Sequence, residues 1–461
     1  MSRRVSLISI MWAVALSATS LHAQDRARSE RPDRFTFLTH GETHAQLFRR
    51  ALLPGANGAT IATETALPIT QYVLLSARDL DTPWQPDSTD IELSVWGRLA
   101  LYDLEREQRL DGDVQTANVQ HRLKRFAFRL GRQHVAGGAA RYSRFDGVDA
   151  SAHLGGGFWL EGYGGFTVMP RWNERPGFIY LGTASDSGIR NLATTPVAAR
   201  DSLWLAGGRL GFARGPGHAV VSFHEQHEAG GLARRNLGAQ ARIELAQRAS
   251  VGGSAILELD SNRFADASLF VDYSVSRHVD ASLEYLHTEP ALLLSRQSVL
   301  AVFSDAGYEE VGGSVRVRPM STLTIQGLGF VNAYAGGETG GRGELSAGGF
   351  VDTRKLTFAR LAFARISAPD NGYASLRASL SRRIGPWLTS TLEGYLYFYD
   401  RAIHGARTSS VYAATLTYRP LPSLSVLAGT SFARTPDARI DAQGQVRIAC
   451  DFDWVRRTRG L

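Results

Sequence analysis

Apolar and polar residues alternate one by one along most of this chain. In the stretch 374–400 (ASLRASLSRRIGPWLTSTLEGYLYFYD), serine, arginine, threonine, glutamate or tyrosine stands between positions of one face that are mostly apolar, which are Leu376, Ala378, Leu380, Leu388, Leu392, Leu396 and Phe398. A repeat of two is the spacing of side chains that share one face of a β-strand. The alternation breaks at SRRIGPW, where Gly385 and Pro386 mark a turn. The stretch therefore predicts two strands joined by a tight turn.

The same pattern recurs through the chain. It is seen in 204–226, 242–260, 268–287, 311–330, 349–366 and 411–432, each of them strand, short turn, strand. The arms are of about 8 to 12 residues, the length at which a tilted strand crosses a bilayer. Tight turns alternate with longer polar joins such as His287–Gly307 and Asn332–Glu344. Short joins at one end and long joins at the other are typical of outer-membrane barrels.

These observations predict an all-β protein, a transmembrane antiparallel β-barrel. One face of 268–285 carries Leu269, Val271 and Leu283, and the other carries Asp272 and Glu284. A closed sheet has no exposed edges, so the apolar face is expected to meet lipid and the polar face to line a lumen. About 24 residues per strand and its join give about 18 strands, with 16 to 20 as the range.

The ends of the chain differ from its middle. Arg3 and Arg4 precede a short apolar run, and Ala23 stands at the expected cleavage point, so residues 1–23 are interpreted as a secretory signal peptide. Residues 24–88 show no clear strand pattern and are expected to be irregular, either as a periplasmic N-terminal segment or as a loop packed in the mouth of the barrel. The barrel is assigned to 89–454, and 455–461 to a C-terminal tail.

The last predicted strand ends in aromatic residues. Phe452 and Trp454 share one face with Cys450, which is the only cysteine of the chain and is expected to face lipid. This ending resembles the signal by which the barrel assembly machinery recognises outer-membrane barrels, although here seven residues follow Trp454. The resemblance implies that this machinery is a partner and that Phe452 and Trp454 form the assembly signal.

Charge and motifs exclude several classes of function. The net charge is +7 and the basic residues are almost all arginine, with lysine only at positions 124 and 355. They are either scattered over the surface or line a pathway for anions or sugars, and no basic cluster indicates nucleic acid. No nucleophile elbow or P-loop is present, and His224 and His227 lack metalloprotease spacing. We expect no enzyme activity, no metal and no cofactor.

The segment Arg129–His153 (RLGRQHVAGGAARYSRFDGVDASAH) is the most distinctive motif. It resembles the R-x-GRQ…FDG segment of alginate-export-like and related outer-membrane porins. The matching positions are Arg129, Gly131, Arg132, Gln133, Phe145, Asp146 and Gly147. The resemblance implies an outer-membrane location and a constriction lined by arginines on an inward loop. The alternative is that Arg132 and Asp146 pair with each other to brace a loop that folds inward.

The architecture is also similar to barrels that export exopolysaccharide together with short periplasmic proteins. This similarity implies a conduit for a sugar polymer that works with a separate periplasmic export partner, since no long helical-repeat domain is present. Two alternatives stay open. One is a passive porin for small solutes, including anions, and the other is a closed barrel that anchors a surface assembly.

The residues expected to line the lumen come from the polar faces of the predicted strands. The candidates for the lumen or its constriction are Arg98, Arg122, Arg129, Arg132, Gln133, Asp146, Arg242, Glu244, Arg316, Arg377, Glu393, Tyr395 and Tyr397. Tyr395, Tyr397 and Tyr399 alternate along one strand. They are interpreted either as a surface on which sugar rings stack, or as core filling and an interface girdle.

Overall fold

The computed structural model describes residues 34–52, 62–80, 88–101, 110–168, 203–228, 231–246, 248–289, 292, 307–369, 371–436 and 438–457. Within these ranges almost every residue of regular structure belongs to a β-strand, and a single 3₁₀ turn spans Gly138–Ala140. Among the described residues, no helix has the length and apolar character needed to span a membrane.

The described chain forms 23 strand segments in one sheet. They are β1 Arg34–Leu52, β2 Ala62–Ala66, β3 Pro68–Arg78, β4 Ser88–Ala100, β5 Leu110–Arg122, β6 Phe126–Ala136, β7 Tyr142–Gly155, β8 Phe158–Thr167, β9 Trp204–Arg214, β10 Gly217–Glu228, β11 Gly231–Leu245, β12 Ala249–Glu258, β13 Arg263–Ser276, β14 Val279–Thr288, β15 Tyr308–Met320, β16 Leu323–Tyr334, β17 Thr339–Phe350, β18 Thr357–Ser367, β19 Tyr373–Arg383, β20 Leu388–Ile403, β21 Ala406–Leu421, β22 Leu424–Arg434 and β23 Ala438–Arg457.

The sheet closes on itself into a barrel. Each strand pairs antiparallel with its neighbour along the chain, and β1 pairs with β23 from Arg34↔Arg457 to Leu52↔Ala438. Segments β2 and β3 run end to end along the other side of β1, so they form one strand of the wall. The barrel therefore has 22 strands, and the expected number of about 18 is wrong.

Two of the missing strands lie where the alternating pattern fails, and the other 20 strands of the wall lie in the segment assigned to the barrel, at the upper limit of the expected range. The segment 24–88, expected to be irregular and periplasmic, contains β1, β2 and β3, including the strand that closes the barrel. The outward positions Thr39, Gly41 and Thr43 of β1 are polar or small, so no alternation marks this strand in the sequence. The last strand also runs three residues past the expected boundary, to Arg457. The interpreted signal peptide lies outside the described residues.

The assignment of faces is confirmed. The apolar residues Leu269, Tyr273 and Leu283 are strongly exposed on the outside, and Leu283 has an exposed fraction of 60%. On the inside, Ser282 and Glu284 alternate with them. Apolar side chains turned outward around a closed barrel form a band that suits lipid, because neighbouring strands pair their backbone groups around the wall.

The two ends of the barrel differ in their joins. At one end, most joins are turns of two or three residues such as Gly156–Gly157 and Pro422–Ser423, and Arg34 and Arg457 lie at this end. The opposite end carries the longest joins, 168–203 and 289–307. We call these the turn end and the loop end.

Candidate functional site: the lumen and an inserted hairpin

The hairpin β6–β7 leaves the wall near the loop end. Pairing between β5 and β6 stops at Ala117↔Arg132, although β5 continues to Leu110 and pairs there with β4. Beyond Arg132, strand β6 pairs only with β7, as far as Ala136↔Tyr142. A hairpin tip that is released from β5 is free to bend away from the line of the wall.

The tip of this hairpin lies inside the barrel, against the inner wall. The backbone N–H of Ala139 donates to Oγ of Ser222 on β10 at 2.8 Å, and Nδ2 of Asn236 on β11 donates to the Ala139 carbonyl at 3.2 Å. Ser222 and Asn236 alternate with the outward residues Val221 and Leu237, so they face inward, and both are buried. The hairpin therefore adds a second layer to the inner wall.

Two arginines fix the ends of the tip. Nη2 of Arg209 on β9 donates to the carbonyl oxygens of Ala136 at 2.5 Å and Gly137 at 3.0 Å. Arg141, which follows the 3₁₀ turn, forms an ion pair with Asp266 on β13 at 3.1 Å. Burial lowers the pKa of the Arg141 guanidinium, and the charge and hydrogen bond of Asp266 act in the opposite direction. The contacts of Arg209 satisfy carbonyl groups that a turn usually exposes to water.

An apolar cluster lies under the tip. Val135, Ala140 and Phe145 of the hairpin pack with Tyr163 of β8 and Leu205 of β9, and all five are buried. Burial of such side chains stabilises a structure by about 1.5–3 kcal/mol for each large one. The cluster holds the inserted hairpin on the β8–β9 side of the lumen.

A buried polar network continues from the cluster. The hydroxyl of Tyr163 lies 3.2 Å from Nδ1 of His224. His224 faces inward and is fully buried, whereas His227 lies on the outer face and stacks on Trp204 with ring centroids 4.1 Å apart. The two histidines of FHEQHE thus occupy opposite faces of β10. Among the described residues no group of three potential ligands could hold a metal ion.

The base of the hairpin is held by charged side chains. Arg132 donates from Nε to Oδ1 of Asp146 at 2.8 Å and from Nη2 to Oδ2 at 3.1 Å. Its Nη1 reaches Asp113 and the carbonyl of Val114 on β5, and Arg144 donates to the other oxygen of Asp113 at 2.9 Å. Side chains therefore connect β5 to the hairpin where the backbone ladder ends.

The geometry of the bend depends on two glycines of the motif. Gly131 has φ +115°, and a Cβ atom there would overlap the carbonyl oxygen of Ala117. A Cβ atom on Gly147 would overlap the carbonyl oxygen of Gly164. Nε2 of Gln133, which is buried, donates to the Gly147 carbonyl at 3.1 Å. In the structure these motif residues hold the hairpin in place.

The structure places Arg132 and Asp146 apart from the other lumen candidates. Arg132 is two residues from the outward Leu130, and Asp146 is two residues from the outward Val148, so both lie on the outer face of the hairpin strands, where they bond to each other. Of the two interpretations of the motif, the contacts match the brace. These contacts do not form the expected constriction lined by Arg132.

The remaining candidates near the hairpin face inward and have partners. Arg122 pairs with Asp90 at 3.1 Å, and Arg129 lies 3.4 Å from Oε1 of Gln120. Arg98 faces inward on β4 and has an exposed fraction of 1%.

The candidates of the wider lumen lie on β11 to β20. Arg242 lies over the ring of Phe270 at 5.6 Å, and Arg377 lies over the ring of Tyr395 at 4.9 Å. Glu244, Arg242, Arg316 and Arg377 are exposed on the inner face of the barrel, and Glu393 accepts a hydrogen bond from Tyr395 at 2.7 Å. These side chains line the part of the lumen that the hairpin leaves uncovered.

Sequence reasoning missed the residues that receive the hairpin. These are Asp113, Arg209, Ser222, Asn236 and Asp266, and Arg144 of the hairpin itself was missed as well. Their inward positions follow from the alternation, but nothing local shows that a segment 70 or more residues away in the sequence contacts Arg209, Ser222 and Asn236. The expected assembly signal lies on the outer face, where Phe452 and Trp454 are exposed, as is Cys450.

The fold and the site define a large closed β-barrel with an apolar outside, a polar lumen and an inserted hairpin. No protein-family model matches the chain, and no curated protein matches it. Among solved structures it is similar to the translocation pore of the P pilus usher PapC, with TM-score 0.46, 8% identity and coverage of 90% of this chain and 99% of that one.

Two other solved structures, one of them an outer membrane protein by its name, are similar to this chain over nearly their whole length. OccAB4 of Acinetobacter baumannii matches with TM-score 0.45, 8% identity and coverage of 91% and 98%, and opdK of Pseudomonas aeruginosa with TM-score 0.41, 11% identity and coverage of 91% and 99%. Identities and scores of this size do not define a family or a function for this chain.

Proposed function

We propose that this protein is an outer-membrane channel through which small hydrophilic solutes pass passively. The observation that carries the proposal is the combination of a closed 22-strand wall, an apolar outer face and a lumen lined by charged and hydroxyl side chains. Apolar groups outside and polar groups inside are what a water-filled transmembrane barrel needs. The N-terminal pattern of a signal peptide supports export from the cytoplasm.

The lumen is wide enough for solutes beside the hairpin. Twenty-two strands about 4.8 Å apart and tilted by about 40° enclose a wall about 40–45 Å across. A packed second β layer takes up about 10 Å of that width. The hairpin therefore narrows the channel on one side.

The exopolysaccharide conduit has less support than the porin. Its main sequence support was the motif at Arg129–Gly147, and the residues of that motif bond to the hairpin and to its neighbours. Those contacts support a structural role and indicate no substrate. If the protein is instead a closed barrel that anchors a surface assembly, no solute passes through it. The permeation experiment described next therefore tests this alternative as well.

Solute permeation into liposomes tests the proposal. Purified protein is reconstituted into liposomes, and swelling rates are measured with neutral sugars and amino acids of increasing size, beside protein-free liposomes. We expect rates that rise with protein content and fall smoothly with solute size. Swelling no faster than in protein-free liposomes would overturn the proposal and favour the anchoring barrel.

A further inference from the structure

A row of tyrosines stands on the inner wall opposite the inserted hairpin. Tyr395, Tyr397 and Tyr399 alternate on β20 with the outward residues Leu396 and Phe398, so all three face the lumen, and all three are partly exposed there. Residues two apart on a strand are separated by about 7 Å. Since β20 is 11 of the 22 strands from β9 in either direction, the row lies half the circumference away from the strand that carries Arg209.

Contacts with the two neighbouring strands orient these rings. Tyr373 of β19 meets the ring of Tyr397 at 5.7 Å and that of Tyr399 at 6.3 Å, both edge-on. Arg377 covers Tyr395 from the same side, from β19. The hydroxyl of Tyr399 lies 2.8 Å from Oγ of Ser409 on β21, so Tyr399 is held from both sides. The contacts of Tyr395 and Tyr397 come from β19 and from Glu393 of their own strand, which leaves the β21 side of these two rings open.

A trough of small side chains adjoins that open side. On the inner face of β21, Val411 stands opposite Tyr395, Ser409 opposite Tyr397 and Ala413 opposite Glu393, and the inward residues of β22 are Gly429, Ser431 and Ala433. The far side of the trough carries the amides of Gln443 and Gln445 on β23, beside the buried carboxylate of Asp441, which accepts a hydrogen bond from Gln443 at 3.2 Å. From β20 to β23 the trough is three strand spacings wide, or about 14 Å. Rings border one side and amides the other.

We propose that this trough, bounded by Tyr395, Tyr397 and Tyr399 on one side and by Gln443 and Gln445 on the other, binds an uncharged chain of pyranose sugars. A pyranose ring has apolar C–H faces and a rim of hydroxyls. The faces pack on aromatic rings, and the hydroxyls bond to amides and to serine, so the two borders match the two surfaces of the sugar. Arg377 and Glu393 lie at the end of the row that is nearer the turn end of the barrel, and their opposite charges balance each other.

This inference rests on the proposed channel, whose lumen it uses, and names the class of solute. The tyrosines could instead be packing groups that only fill the wall. Packing alone requires neither a run of small inward residues on two neighbouring strands nor a row of amides beyond them. A chain that occupies several tyrosines at once is expected to bind more tightly as it lengthens.

Current block by glucose oligomers tests the trough. Single channels in planar bilayers are exposed to maltose, maltotriose and maltohexaose. We expect concentration-dependent interruptions of the current, with affinity rising with chain length. Tyr397→Ala should weaken maltohexaose binding by about three- to tenfold, a fold-change equivalent to about 0.5–1.5 kcal/mol. Ala413→Phe, which fills the trough and keeps every tyrosine, should weaken it as well.

The matched control is Tyr412→Ala. Tyr412 neighbours the trough in sequence but lies on the outer face, with an exposed fraction of 55%. Its variant should bind maltohexaose like the parent. If maltohexaose does not block the current, the proposed sugar site is wrong although the channel proposal stands. The same holds if neither Tyr397→Ala nor Ala413→Phe changes the block.

Calorimetry with maltohexaose on detergent-solubilised protein separates the two proposals. If the reconstituted protein passes no current, the channel fails. Heat of binding that is lost in Tyr397→Ala and kept in Tyr412→Ala would then still support the trough, and no heat of binding in the parent would overturn it.

Discussion

Arg132 and Asp146 face each other across β6 and β7 and share two hydrogen bonds, at 2.8 and 3.1 Å, where the hairpin separates from β5. The same guanidinium reaches Asp113 and the Val114 carbonyl on β5. One arginine thus joins the two hairpin strands and the wall strand that they leave. A planar guanidinium suits this position because its donors point in several fixed directions.

Removing this arginine should loosen the hairpin. In Arg132→Ala, Asp113 and Asp146 keep their charges in a partly buried site and lose a shared partner. We expect a loss of about 1–3 kcal/mol in the free energy of unfolding, measured by urea titration in detergent, together with noisier channel current. Parent-like stability and current would show that the base of the hairpin is held by other contacts.

The exposed ion pair of Arg365 with Asp400 provides the control. Both of its N–O distances are 2.7 Å, and its members have exposed side-chain fractions of 47% and 41%. Exposed pairs of this kind contribute about 0–1 kcal/mol. Arg365→Ala should therefore change the free energy of unfolding less than Arg132→Ala does.

Alanine at Gly131 should disturb the bend. It would place a Cβ atom against the Ala117 carbonyl at φ +115°, a backbone conformation that side chains disfavour. We expect Gly131→Ala to destabilise the barrel by about 1–3 kcal/mol, read as a lower temperature at which the folded band is lost on unboiled gels. Gly162→Ala is the control, since no atom lies within 4 Å of its Cβ position. Equal melting of the two variants would contradict the expectation.

Two neighbours on β14 test the assignment of inside and outside. Leu283 stands at the middle of the strand on the outer face, and Ser282 stands beside it on the inner face. Leu283→Arg should lose about 2–4 kcal/mol on insertion into lipid, whereas Ser282→Arg should assemble like the parent. The measurement is the folded fraction after refolding into vesicles. A reversed order of the two variants would contradict the orientation of the wall.

A disulfide should trap the hairpin on the inner wall. With Cys450 replaced by serine, Ala139→Cys and Ser222→Cys introduce two thiols at positions whose backbone N–H and side chain lie 2.8 Å apart. We expect mild oxidation to protect both thiols from a maleimide reagent added after denaturation. Ala139→Cys paired with Val221→Cys, which points outward, should stay reactive. If the thiols of the Ala139→Cys and Ser222→Cys protein stay reactive after oxidation, the hairpin tip does not lie against Ser222.

The sequence predicts most strands of the barrel wall but few of the contacts of the inserted hairpin. Alternation identifies a strand when its outer face is apolar, as in β13 and β14, because lipid selects that face alone. It fails for β1, whose outward Thr39, Gly41 and Thr43 resemble lumen residues. That failure removed the closing strand and lowered the strand count.

The insertion of the hairpin into the lumen was not predicted, because the residues that contact its tip are distant in the sequence. The motif from Arg129 to Gly147 marks the segment, and the pairing of Arg132 with Asp146 was one of the two interpretations. The direction of the bend is set by Arg209, Ser222 and Asn236, whose contacts with the tip span 72 to 97 residues. A local pattern contains no information about such a contact.

Paired conductance recordings test the central claim most directly. One protein is the parent, and in the other an Asn-Gly turn replaces residues 133–145, which removes the inserted tip and keeps Arg132 and Asp146. A channel narrowed by the hairpin predicts stable current from the parent and larger current from the shortened protein. No current from the parent, or equal currents from the two proteins, would contradict it.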